Sequence, residues 1–302
     1  TMNFISQFYL QLRRQLTIKK YDKLALAIIF VVPVILGVMS GFVFLVDGSY
    51  GDYLFWENKN YSAFTFMLII TSIFLGLLIS IVEIIKERHI VEKEKMFGIS
   101  IYAYYFAKLF LLLIFSLIQI TLLYSIASYI LEVPSNLFLN NVLILYIVSI
   151  NSVALGLLIS SYVKSLLVAY NMISILILPQ LLLGGGFIPF DSMSSKLKIF
   201  DNASGKYMPN IAKILPATWA YEDIIVSNYV KSDKFGLNMA LESFDVDQKS
   251  LDEYMSKEKS VNLAGFKMNI SASLYNRLLL IMESFLLILT TLFVMNKYKS
   301  KV

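Results

Sequence analysis

The side chains able to do chemistry crowd into one stretch of this 302-residue chain, Glu83 to Lys108 (EIIKERHIVEKEKMFGISIYAYYFAK). Apolar runs long enough to cross a bilayer flank it on both sides. Acids and bases alternate there at helical spacing: Arg88 stands four residues before Glu92, and Glu92 three before Lys95, pairings that support a short helix at a membrane surface. Gly98 suits a helix C-cap and Ser100 the N-cap of the next helix. The stretch therefore predicts an elbow in water, helix then tight turn then helix, joining two spans. His89 is the single histidine, which leaves a metal centre or a His-based catalytic set without partners. With no cysteine there is no thiolate nucleophile and no disulfide. No G-x-x-x-x-G-K-[ST] loop occurs, so the chain alone does not bind ATP in the usual way. No catalytic residue, no metal site and no cofactor of its own are expected. Glu283 is the acid that sits well inside an apolar run. Facing lipid it would cost about 2–3 kcal/mol, so it is expected to face protein or a wet cavity, or to be protonated, in a packing or a transport role.

The elements that must position these residues are read from hydropathy. The chain is 58% hydrophobic with a mean hydropathy of +0.70, well above the usual soluble domain, and its apolar runs are too many for a cleavable leader. Asn3 to Lys20 is amphipathic: Phe4, Phe8, Leu12 and Leu16 recur every four residues, with Gln7, Gln11, Arg14 and Gln15 elsewhere. It is expected to lie in the interface with Arg13, Arg14, Lys19, Lys20 and Lys23 among headgroups. Six spans come after it. The first five lie within 24–183 (Leu24–Val46, Tyr61 to about Ile85, Tyr102–Leu131, Leu137–Tyr162, Leu166–Leu183), and the sixth runs over 278–295. Gly184-Gly185-Gly186 breaks the fifth span, and 184–277 is a re-entrant segment and long loop with a helix from about Thr218 to Val230. The fold class is thus all-α and integral to a membrane, in a single domain over 1–302.

Short connections set the orientation. The basic start, the elbow with Lys86, Arg88, Lys93 and Lys95, the turn with Lys164 and the basic tail share one side, while Asp47, Asp52, Glu57 and Glu132 fall on the other. The positive-inside rule then places both termini in the cytoplasm, and this asymmetry accounts for the +5 charge without a nucleic-acid partner. Asn60, Asn202 and Asn269 begin sequons on the outer side, a number close to chance in a chain this rich in Asn and Ser. Thr1 preceding Met2 suggests either a trimmed start or a domain cut from a longer chain.

Glu87-Arg88, Lys93-Glu94, Gly98 and Tyr104-Tyr105-Phe106-Ala107-Lys108 together resemble the E-R-x(4)-R-E-x(3)-G segment and Y-Y-x-A-K helix start of the membrane domains of G-subfamily (White-type) ABC exporters. Leu155-Gly156-Leu157-Leu158-Ile159-Ser160, Pro179-Gln180-Leu181-Leu182 and Pro216-Ala217-Thr218-Trp219-Ala220-Tyr221-Glu222 extend the likeness in order along nearly the whole chain. The resemblance implies an ABC type-2 permease that pairs with a second such domain, as a homo- or heterodimer. It also implies a nucleotide-binding domain, separate or fused, that carries ATP and Mg and pushes on the elbow, with Glu87, Arg88 and Glu94 as coupling residues. The family's cavity lies between the second and fifth spans, here Thr65, Thr71, Ser72, Asn171 and Ser174 among apolar residues. That lining suits an amphipathic or lipid-like cargo, although isolated Ser and Thr in spans also serve helix packing. The resemblance implies alternating access, and the lack of the loop cysteines of animal members points to a bacterial cell membrane. Phe187 and Ile188 fall where the family has a hydrophobic outer gate, although the three glycines before them also fit close packing of the re-entrant segment. A secondary transporter without an ATPase is the competing reading. It would require broken helices at mid-membrane in two related halves, and no half here mirrors the other.

Overall fold

Where water is excluded, an apolar run of about 20 residues forms a helix because only a ladder within the segment satisfies its backbone groups. The computed structural model describes residues 3–45, 58, 60–188, 212–231, 259–263, 266–270 and 272–297. Its helices are α1 (Phe4–Tyr21), α2 (Lys23–Phe44), α3 (Tyr61–Ser80), α4 (Glu83–Met96), α5 (Ile101–Ile130), α6 (Ser135–Tyr162), α7 (Leu166–Leu183), α8 (Pro216–Lys231) and α9 (Ala272–Asn296). Six are long and apolar enough to cross a membrane: α2, α3 with its extension α4, α5, α6, α7 and α9. The chain is a multi-pass integral membrane protein.

The span-capable core is all helical, and α3 runs through its middle, with Phe64, Phe66, Ile69 and Ile73 buried against α6, α8 and neighbouring helices. A second apolar cluster at the elbow end gathers Ile84 and Val91 of α4, Tyr104, Tyr105 and Leu109 of α5 and Met295 of α9. Beyond the helices, the strand pairing among the described residues is one antiparallel hairpin, β1 (Lys259–Leu263) and β2 (Phe266–Ile270), in register from Lys259↔Ile270 to Leu263↔Phe266. It lies in the long connection, where Phe-Lys-Met-Asn-Ile alternates apolar and polar residues with the period of a strand.

Several boundaries and caps differ from the sequence expectation, and the break after Ser80 divides the second span expected to run to about Ile85. The last helix begins at Ala272, not Leu278, because the polar turn before the apolar run is held by contacts to α8. The loop helix begins at Pro216, whose fixed φ and missing N–H suit a first helical position. Thr218, expected at the start of this helix, therefore lies inside its first turn. Ser100 does start α5 but makes no side-chain cap bond. Its backbone N–H instead donates to Gln7 Oε1 at 2.8 Å. Gly98 has φ +79° and ends α4 as expected, the left-handed conformation being open to glycine without strain. Most of the connections 46–59 and 189–271, with the sequon at Asn202, lie outside the described residues.

Candidate functional site

The elbow is built at a break. After Ser80 the chain makes a turn through Ile81 and Val82 and resumes as α4, which frees backbone groups that an unbroken helix would pair. Ser160 of α6 takes up two of them: its Oγ accepts from the N–H of Ile84 at 2.9 Å and of Ile85 at 3.2 Å. Lys108 Nζ donates to the Glu83 carbonyl at 2.9 Å. Arg88 reaches the other way and donates to the carbonyls of Ser160, Ser161 and Val163 at 3.3, 2.8 and 2.9 Å. Those carbonyls end α6, where a cation also complements the helix dipole. Gly156, one turn before Ser160, permits this joint. A Cβ there would stand 2.0 Å from Ser80 Oγ and 3.1 Å from Ser80 Cβ.

Against this joint lies α1, with its polar side inward. Gln7, Gln11, Gln15 and Lys19 are spaced one turn apart, so they share one face, and their partners run backwards along the chain: Ser100, Glu94, Glu87, Glu83. Helix α1 is therefore antiparallel to α4. Gln11 Nε2 donates to Glu94 Oε2 at 3.0 Å, Gln15 Nε2 to Glu87 Oε2 at 2.7 Å and Lys19 Nζ to Glu83 Oε1 at 2.5 Å. Arg14 pairs with Glu94 and stands 3.5 Å from Glu87. The opposite side of α1 presents Phe4, Ile5, Tyr9 and Leu16 outward. Two of the cations expected among headgroups, Arg14 and Lys19, are thus engaged inside the protein instead. In a membrane the rule of burial inverts, since lipid accepts apolar side chains while polar ones need protein partners.

Lys108 of α5 completes the cluster. It is 1% exposed and stands 3.2 Å from Glu83 Oε2 and 3.1 Å from Glu87 Oε2, with Tyr104 OH donating to Glu87 Oε2 at 3.0 Å. Glu83, Glu87 and Glu94 face Arg14, Lys19 and Lys108, so the charges balance. Removing a carboxylate from water is costly, and the two ammonium groups on Glu83 together with the amide and hydroxyl donors on Glu87 offset that cost. A compact, neutralised cluster of this kind fastens three helices into one unit.

The other expected site residues are dispersed. Thr65 and Ser72 are buried in the core side of α3, where Ser72 Oγ donates to the Leu68 carbonyl at 2.7 Å. Thr71 is half-buried, and Asn171 and Ser174 are exposed on α7, which packs beside α3. Phe187 is 65% exposed beyond the end of α7, and Ile188 is half-buried. The preceding glycines press on Phe66 of α3: a Cβ on Gly186 would lie 2.2 Å from that ring. Glu283 is half-buried on α9 beside Asn151 of α6. His89 is exposed, 3.9 Å from Glu92. Among the described residues no group of His, Asp and Glu could hold a metal.

At the far end of the helices a second polar clasp holds α8. Arg277 of α9 donates to Asp223 Oδ2 and to Asn140 Oδ1, each at 2.8 Å, Ser273 also bonds Asp223, and Asn140 Nδ2 donates to Ser227 Oγ at 2.7 Å. Neither this clasp nor the facing roles of Gln11, Gln15 and Ser160 is marked by charge patterning along the chain. The available signal was periodicity: Gln7, Gln11, Gln15 and Lys19 recur every four residues as regularly as the apolar set. Residues 6–228 match the family described as ABC-2 type transporter. No curated protein matches the chain.

Proposed function

The chain belongs to the ABC-2 type transporter family, and from that premise we propose that it is the permease of an ATP-driven exporter, paired with a second membrane domain. It rests on an ATPase, separate or fused, which holds ATP and Mg and performs the hydrolysis that this chain does not. Within the family the elbow motif points to the G-subfamily (White-type) exporters. Both termini and the elbow then lie in the cytoplasm of a bacterial cell, and an amphipathic or lipid-like cargo crosses by alternating access between the two copies. The observation that carries this reading is the elbow itself. One side of α4 is fastened to α1, α5 and α6, and the other presents His89 (94% exposed side chain), Ile90, Lys93, Met96 and Phe97 (85% exposed). Glu87, Arg88 and Glu94 transmit force by bracing α4, while Met96 and Phe97 form the apolar tip that the ATPase grips. Aromatic anchors of this kind carry a large share of an interface's affinity. Replacing Phe97 with Asp is expected to reduce transport-coupled ATP hydrolysis of the reconstituted complex roughly tenfold while leaving the permease's melting temperature unchanged. Undiminished coupled hydrolysis in that variant, or transport without ATP, rejects the reading.

The outer gate belongs to the same proposal. The glycines seat the chain on Phe66, which supports the packing role, and they leave Phe187 projecting, which supports a seal made with the second copy. Phe187→Ala with Ile188→Ala is expected to raise basal ATP hydrolysis or leak severalfold at unchanged stability, because a constriction that gates by dewetting is wetted when widened. Gly186→Ala is expected to do the reverse, lowering stability. Equal basal activity in the Phe187→Ala/Ile188→Ala protein assigns the segment to packing alone.

A further inference from the structure

We propose that a cleft at the elbow end is a binding site for one resident anionic phospholipid of the inner leaflet, distinct from the cargo path. The proposal rests on the permease reading only for its orientation. The cleft is an open groove between the α1–α2 joint, the α3–α4 joint, α5 and α7. Its depths are apolar, lined by Ile28, Leu78, Leu112 and Phe115, and its rim carries Lys19, Asp22, Glu83 and Lys86, with Tyr170 of α7 alongside. An apolar floor below a charged rim is the profile of the lipid it adjoins, acyl chain below and headgroup above.

Charge decides which headgroup. Glu83 on the rim is held between Lys19 and Lys108. Asp22 Oδ1 caps α2 by accepting from the Ala25 N–H at 3.0 Å. Lys86 is exposed, and its ammonium has no ion pair among the described residues. It is therefore the uncommitted charge of the rim, and Lys20 and Lys23, both exposed, flank the same joint. The outward apolar side of α1 sets the depth, placing this rim level with phosphates when Phe4, Tyr9 and Leu16 meet acyl chains. A phosphate on Lys86, with its acyl chain on Leu78, Leu112 and Phe115, satisfies both halves of the cleft.

The test uses the full chain without any ATPase, in nanodiscs of phosphatidylcholine with or without phosphatidylglycerol, and counts retained lipid by native mass spectrometry. Wild type is expected to keep one phosphatidylglycerol in preference to phosphatidylcholine. Lys86→Ala should weaken that retention about fivefold, corresponding to the roughly 1 kcal/mol of one lysine near an anionic surface. Lys86→Arg should keep it, and so should Lys164→Ala, whose exposed lysine lies in the α6–α7 turn outside the lining of the cleft. Retention in Lys86→Ala equal to wild type overturns the site, and so does an equal loss in Lys164→Ala, which would mean a diffuse basic surface. A wild type that does not prefer phosphatidylglycerol overturns it without reference to any variant. Because neither ATP nor cargo enters this measurement, its failure leaves the permease reading standing, and the failure of coupled hydrolysis leaves the lipid site standing.

Discussion

Replacing Lys108 with Met is expected to destabilise the protein by about 3–5 kcal/mol, the usual cost of removing one member of a buried charge cluster. Lys108 is the shared cation of Glu83 and Glu87, 3.2 and 3.1 Å from their carboxylates, and it also satisfies the Glu83 carbonyl at the break between α3 and α4. Methionine preserves the volume and removes all three contacts. Glu83 then retains Lys19, and Glu87 retains Arg14 at 3.5 Å, so the acids are left with fewer cations at the same burial. The melting temperature of the purified chain should fall by on the order of 10 °C, with protease cleavage appearing around the elbow. Part of the loss should return when Glu87→Gln accompanies Lys108→Met, since the cluster is then neutral again, Glu83 keeping Lys19 and Glu94 keeping Arg14. A single variant that melts within a degree or so of wild type would falsify the description of this cluster as buried and mutually dependent.

Gly156 carries the second large effect. Any side chain there meets Ser80 Oγ at 2.0 Å, Ser80 Cβ at 3.1 Å and the Ile81 backbone nitrogen at 3.3 Å. The hydroxyl can rotate away from its bond to the Gly76 carbonyl, but the Ile81 backbone at the break cannot rotate away. Gly156→Ala is expected to cost about 1–3 kcal/mol by overpacking, and Gly156→Val more. Separation of α3 from α6 would also withdraw Ser160 from the Ile84 and Ile85 N–H groups that donate to it. The specific check is reciprocal: Ser80→Gly should recover a good part of the stability lost in Gly156→Ala, and should do nothing for Lys108→Met. An additive double variant, with no recovery, places the strain elsewhere.

The spans were legible because hydropathy alone forces them: no other arrangement satisfies some 20 apolar residues in lipid. Gly98 was legible as a helix end for a similarly local reason. What the chain's own spacing could not disclose was direction. The four-residue periodicity of α1 predicts a helix with two faces, but which face meets protein depends on the solvent around it, and here Gln11, Gln15 and Lys19 are buried while Phe4 and Leu16 are out. The charges of α4 posed the same problem. Arg88 lies four residues from Glu92, yet the structure carries its guanidinium to the carbonyls ending α6. Partners 72 or 73 residues away in sequence leave no mark on local spacing. In the sequence Arg277 stands at the edge of a loop for a comparable reason. Its partner Asp223 is 54 residues earlier, and a polar turn extends an apolar helix only when such a partner exists.

The ladder between α1 and the elbow also imposes a schedule on biosynthesis. Lys19 waits for Glu83, 64 residues further along, and Gln11 for Glu94, 83 residues further along, with Lys108 made later still. At about 5–20 residues per second, α1 spends on the order of 10 s outside the ribosome with its glutamines and cations unmatched. During that interval it cannot sink into lipid with its polar side unpaired, so it rests at the surface while α2 and α3 enter. Helix α1 thus locks only once α4 has been made, and a nascent chain halted before Lys108 would leave Glu83 and Glu87 one cation short.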